Sequence, residues 1–90
     1  MPNTLVVSTF DCSFYEFEAM VQKVDKEQGY IFCSELEIVK VKEHKAIILM
    51  NCSDLQKLGA MLEKPKLKQW DIDNNCVDNA NKVYNPQLIE

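Results

Sequence analysis

The residues able to do chemistry here are few and dispersed: one histidine, His44, the cysteines Cys12, Cys33, Cys52 and Cys76, and fourteen carboxylates in 90 residues. Histidine changes charge near neutral pH, so His44 is the first candidate for a general base or metal ligand. It lies between Glu43 and Lys45 on a charged connection, which reads as a solvated loop. The cysteines are widely spaced, with no C-x-x-C pair. No His/Cys/Asp group has the short ligand spacing of a structural zinc site, so no metal is expected. Cys12 precedes a helix, whose N-terminal field lowers a thiol pKa. A nucleophile also needs a base, and spacing supplies none. Cys33 and Cys52 read as small hydrophobic strand residues.

The stretch Asp71-Ile72-Asp73-Asn74-Asn75 imitates the start of a calcium loop. It fails at the sixth place, where Cys76 replaces glycine, and at the twelfth, where Lys82 replaces glutamate. An Asx-rich turn explains it better. Glu35 and Glu37 share a strand parity, as a catalytic carboxylate pair would, and equally mark the wet face of an edge strand. Lys64, Lys66 and Lys68 read as a solvated helix face. With glycine only at positions 29 and 59, there is no phosphate-cradling loop. Catalytic residues therefore remain unassigned. The candidate ligand-binding residues are Tyr15, Trp70 and Tyr84, large apolar bodies with one polar handle each, suited to lining a cleft between helices and sheet.

Elements must position these groups, and bulk composition bounds them. Ninety residues make one domain, 1–90, whose own core is thin. An apolar fraction of 47% suits a globular chain. The net charge of −4 argues against nucleic acid and against anionic membrane surfaces, since both select basic patches. No run approaches the ~20 apolar residues of a membrane span. No charged segment followed by an apolar one marks a signal peptide, so a cytoplasmic protein with reduced thiols is expected.

The run AIILMNC, residues 46–52, is apolar without a break through Met50 and contains the β-branched pair Ile47 and Ile48. It reads as a strand buried on both faces. TLVVSTF, residues 4–10, is a second such strand, with Leu5 and Val7 on one face and Val6 and Phe10 on the other. Between them, Ser13 and Glu16 form a capping box and Gly29 stands at the C′ place, predicting a helix over 13–28. Residues 30–42 read as extended, with a break between Ile38 and Val39 where the apolar parity changes. The polar segment 42–45 reads as a hairpin. Ser53 or Asp54 caps a second helix, Pro65 opens a further short helical piece carrying Leu67 and Trp70, and 71–78 reads as a turn-rich exit. Residues 80–84 read as a weak last strand.

The order β-α-β-β-α-β is the ferredoxin-like split arrangement, with the first and third strands central. The two helices cover one face of a four-stranded antiparallel sheet, and the other face needs a partner. From TLVVSTF through NKVYNP, including EKPKLKQWDIDNNCV, the chain resembles the dimeric α+β barrel superfamily, and in particular its small bacterial members of unknown function. The resemblance implies a homodimer joined sheet to sheet, with any small-molecule ligand held between helices and sheet. Haem members need an axial histidine within the fold, and His44 lies in the hairpin, so no cofactor is expected. The resulting expectation is a non-catalytic small-molecule-binding, structural or regulatory protein. The alternative is a cofactor-independent enzyme, monooxygenase- or isomerase-like, acting on a small aromatic or polyketide-like substrate.

Overall fold

A computed structural model describes residues 2–82 of the chain. Four strands, β1 (Thr4–Thr9), β2 (Cys33–Lys42), β3 (Lys45–Cys52) and β4 (Val77–Lys82), form one sheet in the order β2-β3-β1-β4. All three pairings are antiparallel. Helices α1 (Phe14–Glu27), α2 (Leu55–Leu62) and α3 (Pro65–Asp73) complete the described fold. This is the ferredoxin-like α+β architecture, with the two apolar strands at the centre as their composition requires.

The period of two in β1 and β3 decides which face meets the helices. Val6, Ser8, Ala46, Ile48, Met50 and Cys52 are buried, whereas Leu5, Val7, Ile47 and Leu49 are half-buried. The even set packs with Phe14, Phe17, Leu58, Met61 and Leu67 of the helices into one core. The odd set forms the opposite face, where Leu5 is paired with Leu49 and Val7 with Ile47 across the two central strands.

Helix α1 starts where its capping signal falls: the Ser13 hydroxyl accepts the Glu16 N–H at 3.1 Å. Asp54, rather than Ser53, caps α2, accepting the Lys57 N–H at 3.1 Å. Pro65 opens α3 because its missing N–H falls where a helix leaves donors unpaired. Three expectations need correction. Gly29 does not adopt a left-handed C′ conformation; it begins a 3-10 turn, Gly29–Ile31, and strand β2 starts only at Cys33. A Cβ at Gly29 would stand 3.0 Å from Asp25 Oδ1, so closeness and not torsion is what favours glycine there. The pairing of β2 with β3 runs unbroken from Glu37 to Lys40, and the irregularities lie between Ser34 and Glu37 and between Lys40 and Lys42. Ile38 and Val39 are both apolar because β2 contributes to both faces, not because the strand breaks there. Finally, α3 continues to Asp73 and β4 begins at Val77, three residues before its expected start.

Candidate functional site

A cavity of about 80 Å³ lies between the helices and the inner sheet face. Apolar side chains dominate its wall: Phe17, Met20 and Val24 from α1, Ile48 and Met50 from β3, and Leu58 and Met61 from α2. The helical residues reach it because their spacing of three and four puts them on the stripe facing the sheet. Its polar lining consists of three carboxylates, Asp25, Asp71 and Asp78.

Asp71 and Asp78 belong to a polar cluster beside the cavity. The fully buried Ser8 hydroxyl donates to Asp78 Oδ1 at 2.5 Å, and the Cys76 thiol donates to the same oxygen at 3.5 Å. The backbone closes the group, with the Cys76 N–H donating to the Asp71 carbonyl at 2.7 Å. One ligand atom each from Asp71, Cys76 and Asp78 lies within 4.8 Å of the others. A nearby like charge disfavours ionisation of a carboxyl that is partly out of water. Burial first, and Asp78 second, push the Asp71 carboxyl above its ordinary value. Burial, then Asp78 and Asp71, push the Cys76 thiol up. Asp71 keeps its proton to a higher pH than an ordinary carboxyl, and the cluster can offer hydrogen bonds to a group at that end of the cavity. The types of donor present would also suit a divalent cation, but Ser8 and Cys76 already occupy the Asp78 oxygen.

The sequence drew attention to Asp71 and Cys76 only as parts of a failed calcium loop, and not to Ser8 or Asp78. Asp71 and Cys76 are brought together by the end of α3 and the following turn, with Asn75 at φ 48°. Ser8 and Asp78 meet only because they are register partners between β1 and β4. That register is a tertiary fact with no local signal in either segment.

The named candidates are placed apart. Trp70 is half-buried on α3 and packs against Phe17, ring centroids 6.3 Å apart, so it touches the wall of the cavity without lining it. Tyr15 is 73% exposed on α1, meeting the Phe14 ring edge-on, with the Lys40 ammonium 5.9 Å from its ring centre. Tyr84 lies outside the described residues. His44 is exposed in the β2–β3 turn, its Nδ1 2.9 Å from the Cys12 carbonyl. It acts with Glu43, which accepts the Phe14 N–H at 3.3 Å, to fasten the hairpin to the start of α1. Cys12 departs from the lowered thiol pKa expected of a helix N-terminus. Burial raises it, and Glu16 and Asp11 add to the rise. Glu35 sits at φ 55° in the β2 irregularity, whereas Glu37 stands in the regular ladder opposite Leu49.

The strand order, the two central apolar strands and the helices on one face place the chain in the ferredoxin-like α+β class. The solved structure of SnoaB, a cofactor-independent oxygenase from Streptomyces nogalater, superposes on it with a TM-score of 0.62 over 100% of both chains, at 12% identity. That similarity establishes a shared fold. No family model matches the chain. Axonemal dynein heavy chain 17 of Mus musculus is 27% identical over 90 residues, which cover 90% of this chain and only 2% of that protein's length. Among the described residues, no helix is long and apolar enough to cross a membrane.

Proposed function

We propose that this chain is a small homodimeric α+β barrel protein that binds a small molecule between its helices and its sheet, without a cofactor and in a cytoplasmic setting like that of small bacterial members of the superfamily. The observation that carries this reading is the apolar cavity with carboxylates on its wall. A ligand site is mostly apolar with few oriented polar groups. The volume, about 80 Å³, suits a compact molecule or part of a larger one. Trp70, against Phe17, is placed to report occupancy, and Tyr15 and Tyr84 stay candidate ligand-binding residues on sequence grounds alone.

A small aliphatic alcohol such as 1-propanol is a suitable probe, with an apolar chain that matches the cavity and one hydroxyl for Asp71 or Asp78. Saturable quenching or shift of Trp70 emission, removed by the cavity-filling Val24→Phe, is the expected result. An unsaturable response, or one unchanged in Val24→Phe, sinks the ligand site.

A second reading is favoured by the raised Asp71 carboxyl on the cavity wall and by the fold shared with a cofactor-independent oxygenase. In it, Asp71 or Asp78 would exchange a proton with an aromatic or polyketide-like substrate in the cavity. Turnover of such a substrate, lost in Asp78→Asn with the fold retained, would favour the enzyme.

A further inference from the structure

We propose that Cys33 and Cys52 form a preorganised dithiol that closes to an intramolecular disulfide when the protein meets a small-molecule disulfide such as oxidised glutathione. The two residues are register partners across β2 and β3 and both are buried, at 8% and 5% exposure. Both belong to the inner core, so their side chains share one face.

The hydrogen bonds around them fix the type of pair. The Cys52 N–H donates to Asn3 Oδ1 at 2.8 Å, and the Cys52 carbonyl accepts from Asn3 Nδ2 at 2.8 Å. Both backbone groups of Cys52 therefore turn towards β1 and away from β2. The bond flanking the pair lies one residue outside it, where the Ser53 N–H donates to the Phe32 carbonyl at 2.8 Å. That is the pattern of a non-hydrogen-bonded antiparallel pair, whose opposed Cα atoms approach to about 4.5 Å. A disulfide spans Cα separations of roughly 4.4–6.8 Å. The reduced Cys33 thiol donates to Met50 Sδ at 3.4 Å, a contact that closure of the disulfide would give up.

The same setting makes the reaction slow. Burial, and then the Cys52 thiol, push Cys33 up to about 12, so few molecules carry its thiolate at neutral pH. Access comes from the edge: β2 is an outer strand, and its first irregularity begins immediately after Ser34. One cysteine thiolate attacks a sulfur of oxidised glutathione, forming a mixed disulfide and expelling one glutathione thiolate. The opposed cysteine loses its proton to solvent, attacks the protein-side sulfur and expels the second glutathione. The protein gives up two electrons and two protons, and the glutathione disulfide takes them up. The product fastens the edge strand to the centre of the sheet beside the cavity, which Cys33 lines.

The test incubates the folded chain with oxidised glutathione, traps free thiols under denaturing conditions, and maps tryptic peptides by mass. The expected product joins peptide 27–40 to peptide 46–57, while Cys12 and Cys76 carry glutathione or the trapping agent. Its rate should rise about tenfold per pH unit between pH 7 and 9, because the thiolate is the attacking species. In Cys52→Ala, Cys33 should stop at the mixed disulfide. Cys33 and Cys52 both alkylated after Cys12 has fully reacted would overturn the proposal, and so would their linkage to Cys12 or Cys76 instead of to each other.

Discussion

At the scale of single residues, Asp71 shows how placement changes an ordinary side chain. Its carboxyl is raised above its usual 3.8 by burial and then by Asp78. A raised folded-state pKa means the folded protein holds the proton more tightly than the unfolded chain. The associated stability is therefore complete below the ordinary carboxylate value and is lost as the pH rises through the folded value. Asp71→Asn should raise the melting temperature modestly at pH 7, and the gain should disappear on titration to pH 3. A gain that persists at pH 3 would mean that packing, and not charge, is responsible. Phe17 makes the opposite kind of contribution. It is 1% exposed, stacked on Phe10 at 4.3 Å between ring centroids and 7° between planes. Phe17→Ala should cost about 3–5 kcal/mol in urea unfolding.

At the scale of elements, α1 and α2 begin where a polar side chain can take a free N–H, whereas α3 begins on Pro65 without a side-chain cap. Ser13 does so for α1 and Asp54 for α2. Removing the oxygen leaves a donor to water alone, so Ser13→Ala should lower stability by about 1 kcal/mol, and Ser13→Asp should restore it. A circular-dichroism melt of the two variants distinguishes the cap from a general packing effect. The hairpin is held by contacts beyond its own turn: the Phe10 N–H donates to the His44 carbonyl at 3.1 Å, and Glu43 also meets Lys40 at 3.0 Å. These bonds set the end of β2 against the start of α1. They explain how a turn without a strong tight-turn dipeptide keeps its register.

At the scale of the whole molecule, the odd face of the sheet is the one turned away from the helices. Leu5, Val7, Ile47 and Leu49 are half-buried there, and Val39 and Val77 are 45% and 54% exposed. The three helices lie on the other side. Each ~100 Å² of apolar surface covered contributes about 2.5 kcal/mol before the costs of association. A second copy is the proposed cover, because two-fold pairing of one face with itself closes the assembly. Light scattering at micromolar concentration should give the mass of two chains, and Leu49→Lys should give one. A wild-type mass of one chain, with the fold intact, would end the homodimer proposal.

Periodicity and local chemistry determined much in this sequence. The unbroken run at 46–50 and the apolar pairs in TLVVSTF announced two central strands with apolar residues on both faces, because side chains alternate along a strand with a period of two, although the helices cover only one of those faces. Ser13, the pair Ser53 and Asp54, and Pro65 announced helix starts, because capping acts within a few residues of chain. The tertiary structure alone decided what depends on register between distant segments. It chose the even face of β1 and β3 for the helices. It set Ser8 against Asp78, 70 residues apart, and Cys33 against Cys52. It also left Tyr15 outward, since a helix position just off the apolar stripe turns towards solvent. Those outcomes follow from how two sheet edges and a helix stripe align, and no short stretch of the chain carries that information.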